Sequence, residues 1–150
     1  MEDVDALNRE FATRLGPVSR AWQRLADKVL AQFGVSNSSG WCLTHLSRLG
    51  PDTRQSVLAR AIGISEASLA RTLGELERGG LIARRIDKTD RRANHVRLTE
   101  AGVGLSQQIE VRLATLRAQL LDGVSSADIA RMVAMLDLVA AKIEQEQGRR

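Results

Sequence analysis

Residues able to do chemistry concentrate in two stretches of this chain. From Ser65 to Arg78 a helical period places Ala67, Arg71, Gly74 and Arg78 on one face, with Ser68 and Glu75 at its edge and Leu69, Leu73 and Leu76 opposite. Small residues let a helix approach another molecule closely, and Arg71, in the N-terminal half, offers forked donors suited to a base edge or a phosphate. Gly74 costs an exposed helix about 1 kcal/mol relative to alanine, which suits a tight contact. An ordinary solvated helix face has the same composition, so this face alone does not decide.

The second stretch does. Arg84, Arg85, Lys88, Arg91, Arg92 and Arg97 face only two acids, Asp87 and Asp90, between residues 84 and 97. Leu81 to Ile86 and Asn94 to Leu98 alternate branched and polar residues as two strands would, and the charged loop 87–93 joins them. A thin positive hairpin after a helix pair is a wing. Such a finger follows phosphates into the minor groove, where narrow A·T tracts concentrate negative potential. Asp90 reads as a clamp that holds an arginine in shape.

These groups need elements to position them. Gln55 to Ile62 and Ser65 to Arg78 form two helices around Gly63, with Ala59 where the backbones meet and Ser65 as a cap. This is a helix-turn-helix pattern. Upstream, Val4, Leu7, Phe11, Leu15, Val18, Trp22, Leu25, Val29 and Phe33 make one apolar stripe of a long helix, with a kink or break expected at Gly16-Pro17. A second helix runs from about Ser38 to Leu49. Downstream, Thr99 caps a helix to Leu121 with Leu105, Ile109, Leu113, Leu116 and Leu120 inward. Ser125 and Asp128 then open a last helix, striped by Ile129, Met132, Val133, Leu136, Val139 and Ile143.

The predicted fold is mostly α (α+β): a winged helix-turn-helix lobe over residues 37–99, with residues 1–36 and 100–150 as dimerisation helices forming a bundle. Terminal stripes this long have little else in 150 residues to cover them. A second copy of the chain is the simplest cover, and an intramolecular bundle is the alternative.

Composition narrows the partner. Residues 48–97 carry 11 basic and 6 acidic side chains, whereas the rest carry 11 and 12, so the net +4 belongs to the middle third. Almost all the cations are arginine, suited to phosphate and guanine. With no Tyr, two Phe and two Trp, the chain lacks the stacking platforms of single-strand and RNA binders, which favours duplex DNA. There is no apolar run of membrane-spanning length, and the acidic opening MEDVDALNRE is unlike a secretory signal. One cysteine, Cys42, can form neither an internal disulfide nor a thiolate metal cage, which suits a reducing cytoplasm.

Other chemistries fail on spacing. Gly102-Val103-Gly104 has Gln107 where a dinucleotide fingerprint needs glycine, and no βαβ unit surrounds it. His45 and His95 are far apart without a ligand cluster, so no metal is expected. No nucleophile elbow or phosphate loop occurs, and neither catalytic residues nor a cofactor are expected.

The run QSVLARAIGISEASLARTLGELERGGLIARR, followed by KTDRRANHVRLTEAG, resembles the winged-helix core of the MarR family, most closely its SlyA branch, over about residues 11–145. Asp90-Arg91-Arg92 followed by Leu98-Thr99-Glu100-Ala101-Gly102 carries most of the likeness. The resemblance implies a homodimeric bacterial transcription regulator on pseudo-palindromic duplex DNA. The helix bearing Ala67, Ser68 and Arg71 would read the major groove, and the arginine at Arg92 would enter the minor groove. Many relatives have proline where this chain has Ala67.

The resemblance also implies response to a small aromatic carboxylate, with Arg20 at a position that can meet its charge. Trp41 and His45, four apart on one helix face, offer a flat wall beside a switchable donor, or simply core packing. Helical periodicity sets Arg20 opposite Val18, off the apolar stripe. Two other readings stay open: a Cys42-based redox-responsive regulator, and a protein-docking winged helix with no DNA role.

Overall fold

The computed structural model describes residues 2–89 and 94–148. In chain order it has α1 (Glu2–Ala31), α2 (Asn37–Leu49), β1 (Thr53–Arg54), α3 (Gln55–Ile62), α4 (Glu66–Arg78), β2 (Ile82–Ile86), β3 (Asn94–Leu98), α5 (Glu100–Leu120) and α6 (Ser126–Gly148). The described chain is mostly helical and divides into two compact units, residues 1–116 and 117–150.

Helix starts follow local chemistry. The hydroxyls of Ser36, Ser65, Thr99 and Ser125 accept from the amides of Ser39, Ser68, Gly102 and Asp128 at 3.1–3.2 Å, each satisfying a first-turn donor. At Ser125 the resemblance to a capping box is partial, because the Asp128 carboxylate accepts a hydrogen bond from the Ser125 hydroxyl at 2.6 Å. The ends of α3 and α4 repeat one device. The amides of Gly63 and Ile64 reach back to Arg60 and Ala59, and those of Gly80 and Leu81 to Glu77 and Leu76. Because Leu81 is spent closing α4, β2 begins at Ile82, one residue later than the alternation suggests.

The first unit has one core. Ala26 and Leu30 of α1, Cys42, Leu43 and Leu46 of α2, Leu58 and Ala59 of α3, and Leu69, Leu73 and Leu76 of α4 are all buried. Ile82, Val96, Ile109 and Leu113 bring β2, β3 and α5 into the same cluster. Each fully buried Leu contributes about 1.5–3 kcal/mol. Segments read from sequence as dimerisation helices thus also build this core.

Three features differ from the sequence reading. Helix α1 runs through Pro17 without a break. Proline removes one amide, but this stretch is exposed, with Leu15 and Val18 open to solvent, so water can take the freed carbonyl. A two-residue strand, β1, adds to the hairpin: the antiparallel order is β1-β3-β2, with Thr53 opposite Val96 and Arg54 opposite His95. Leu120, expected inward, is exposed.

In the second unit α6 buries no residue; Met132, Val133, Leu136 and Ile143 are exposed. In the first, Val4, Leu7, Phe11, Leu15 and Val18 are also exposed along α1. No helix among the described residues is long and apolar enough to cross a membrane.

Candidate nucleic-acid interface

Helices α3 and α4 are held at a fixed angle by the turn between them. Gly63 sits at φ 80°, ψ 33°, a left-handed conformation that side chains resist. With Leu69, Leu73 and Leu76 locked into the core, the opposite face of α4 must point outward. Ala67, Ser68, Arg71 and Arg78 are exposed, and Gly74 is half-buried among them. A side chain at Gly74 would meet nothing within 4 Å, so no internal contact requires glycine there. The Arg78 Nε donates to the Gly74 carbonyl at 3.1 Å, laying that side chain along its own helix. Arg71 has no hydrogen-bond or ion-pair partner among the described residues, nor has Lys88.

The hairpin is pinned at its root. Glycine at 102 is compulsory: a Cβ there would lie 2.0 Å from the Leu81 carbonyl oxygen, so the start of α5 packs directly on the α4–β2 turn. The Thr99 amide donates to that same carbonyl at 3.0 Å and its hydroxyl to Gly80 O at 2.6 Å. In β2 and β3, Ile82 pairs with Leu98, Arg84 with Val96 and Arg85 with His95.

This register separates the root cations. Arg84 shares the face of Ile82 and Val96, and its guanidinium meets Glu77 of α4: Nε donates to Oε2 at 2.9 Å, and Nη2 donates to the same oxygen. Those bonds hold the Glu77 carboxyl below its usual range. Arg85, on the other face, lies 3.5 Å from the Asp52 carboxylate.

A second cluster is assembled by His95, to which sequence spacing assigns no role. Its Nδ1 meets the Asp52 carbonyl at 2.9 Å and its Nε2 the Asp87 carboxylate at 3.1 Å. Asp52 is the one non-glycine residue with positive φ among those described (56°), and the histidine bond helps hold that strained turn. The other Asp87 oxygen accepts from the Thr89 amide and hydroxyl at 2.9 and 2.7 Å. Asp52 and Asp87 therefore tie β1 and the loop root to β3. The clue was strand parity, which sets His95 opposite Arg85. The expected clamp at Asp90 and the tip arginines Arg91 and Arg92 lie outside the described residues. No cluster of metal-binding side chains occurs among the described residues.

Of the expected effector residues, Trp41 packs against the core and its indole N–H donates to the Asp27 carboxylate at 2.9 Å. Its ring centroid lies 6.4 Å from that of His45, tilted by 50°. Burial, and then Arg48, hold the His45 imidazole below its ordinary pKa, which favours the neutral ring. Arg20 is exposed on α1, its guanidinium laid back over Gly16. A separate cavity of about 370 Å³ is lined by Leu46, Pro51, Arg97, Leu98, Val103 and Gln107, among others, and by none of these three residues. Cys42 is fully buried, and desolvation pushes its thiol up to about 12.

A helix pair with an outward second helix, followed by a pinned two-stranded hairpin, defines a winged helix-turn-helix protein. A family model described as the MarR family matches residues 33–93. The fold is similar to that of the transcriptional regulator PA3341, at 34% identity over 90% of this chain and 98% of that one, with a TM-score of 0.82. It is similar also to CouR from Rhodococcus jostii RHA1, solved with p-coumaroyl-CoA (22% identity, 89% and 94% covered, TM-score 0.78). A third likeness is S. aureus MepR, solved with DNA (24%, 89% and 97%, TM-score 0.73). This chain belongs to the MarR family of transcriptional regulators.

Proposed function

We propose that the chain acts in the cytoplasm as a homodimeric regulator that binds pseudo-palindromic duplex DNA, with α4 in the major groove and the wing in the minor groove. The observation that carries this reading is the outward face of α4, where small residues surround an arginine that no internal acid engages. Ala67 and Ser68 permit close approach, and Arg71 forks onto a base edge or phosphate. Arg78, Lys88 and the tip residues Arg91 and Arg92 supply further positive charge. The likeness to MepR, solved with DNA, supports the same mode. The exposed apolar faces of α1 and of α6 each suit cover by a second copy, and a dimer would address half-sites about 34–36 Å apart.

Within the family, the likeness to SlyA rests on the sequence run from Gln55 to Gly102. A small aromatic or phenolic carboxylate is the effector class we favour, recognised by Arg20 through its charge and by the Trp41–His45 wall through its ring. A neutral His45 leaves the charge to Arg20. CouR, solved with p-coumaroyl-CoA, supports an aromatic acyl ligand in this fold.

The test is selection of bound duplexes from random DNA, repeated with a panel of aromatic acids. Selected sites are expected to be two-fold related, with affinity falling steeply with salt. Arg71→Ala is expected to cost about 1–3 kcal/mol and relax the preference at one position per half-site. A flat salt response, or unchanged selection by the variant, refutes the reading.

A further inference from the structure

The joint between α4 and the wing carries an arrangement that charge counting hides. Arg84 lies directly opposite Val96, which is fully buried, on the face shared with buried Ile82. Its stem therefore starts at the edge of the core before its head reaches polar surroundings. The acceptor it finds is Glu77, in the last turn of α4, which takes hydrogen bonds from both Nε and Nη2. With side chains 34% and 40% exposed, this pair is better covered than the Arg85–Asp52 pair, at 54% and 57%. The pair carries no net charge, so a phosphate that reaches the remaining guanidinium donors also meets the Glu77 carboxylate beside them.

We propose that Glu77 is a positioning residue: it holds Arg84 as an internal brace between α4 and the wing, keeps that cation off the DNA backbone, and so restrains affinity for non-specific duplex. This inference rests on the DNA-binding reading above. Non-specific affinity scales with the number of phosphates neutralised, whereas sequence is read by base contacts that Arg84 does not make. Glu77 thereby lowers the sequence-independent part of the affinity, which every duplex shares, without touching a base.

The full chain, its Glu77→Gln and Arg84→Gln variants and the double variant are titrated onto a fluorescein-labelled duplex of mixed sequence, across a salt series. The readout is the slope of log affinity against log salt. A partly unfolded fraction that is constant across the salt series, as circular dichroism at each salt checks, shifts log affinity without changing its slope, so the slope reports contacts rather than stability. Freed by Glu77→Gln, Arg84 is expected to reach one more phosphate per protomer, steepening the slope by about 1.8 per dimer. The affinity lost between about 50 and 200 mM salt then deepens about twelvefold. The double variant removes a neutral pair and is expected to keep the wild-type slope.

A double variant flatter than wild type by a similar amount shows Arg84 already on a phosphate and overturns the brace. So does a Glu77→Gln slope equal to the wild-type slope. If the wild-type chain itself fails to bind duplex, or binds with no salt dependence, the DNA reading falls and this inference with it. A salt-dependent wild type beside an unchanged Glu77→Gln variant removes the brace alone.

Discussion

Gly74 allows stability and binding to be set against each other at one atom. It sits in the interior of α4, where glycine costs about 0.8–1 kcal/mol relative to alanine. A Cβ built there has open space out to 4 Å, so Gly74→Ala gains that propensity with nothing to displace. For a chain of this length, the melting midpoint is expected to rise by about 2–4 °C. The same methyl projects from the outward face between Arg71 and Arg78. If that face lies against a groove, an added methyl overpacks it, at about 1–3 kcal/mol by analogy with packed cores. The dissociation constant for a selected duplex then rises by about 5- to 150-fold. Melting is followed by circular dichroism at one fixed protein concentration, since the proposed dimerisation would make the midpoint concentration-dependent. Binding is followed by fluorescence anisotropy. A variant that melts no higher refutes the open-space argument. A variant that melts higher but binds unchanged refutes close approach of this face to DNA.

Gly102→Ala has the opposite sign. Its methyl would lie 2.0 Å from a backbone oxygen, so α5 must shift and strain the two Thr99 bonds to the α4–β2 turn. A loss of about 3 kcal/mol or more is expected in urea denaturation, and an unchanged midpoint contradicts the packing described. Cys42, with its thiol pushed up to about 12, has almost no thiolate at pH 8. DTNB is expected to modify it only as fast as the chain opens, and rapid labelling of the native protein would restore the oxidant-responsive alternative. His45 titrates below its unfolded value of 6.5. The unfolded chain therefore binds more protons just below that pH, and stability declines as pH falls through the window between the two values. Arg48→Ala removes only the charge contribution and is expected to raise the His45 midpoint part of the way. An NMR titration placing wild-type His45 at or above 6.5 contradicts the burial assigned to it.

Local chemistry made the helix-turn-helix legible. Gly63 fits a left-handed turn, Ser65 fits a cap, and Leu69, Leu73 and Leu76 fit one buried face; each is decided within a few residues. β1 escaped because two residues are too few to show a period, and its existence depends on pairing with β3, more than forty positions away. Of the kink or break expected at Gly16-Pro17, the break does not occur, since an exposed helix can hydrate the carbonyl that proline frees. The wing shows the same division more sharply. Counting cations treats Arg84 and Arg85 alike, yet strand parity sends them to opposite faces and to different acids. Parity was available in the sequence; the partners were not, because they are set by how α4 and the turn at Asp52 pack. The distinction matters for binding. A looser, more exposed pair such as Arg85–Asp52 exchanges its carboxylate for a phosphate at little cost, whereas a closer pair of two donors on one oxygen resists. Composition therefore sets only the largest number of counterions this surface can release; on the brace proposed for Arg84, the packing of α4 against β2 would subtract from it about 1.8 units of salt slope per dimer.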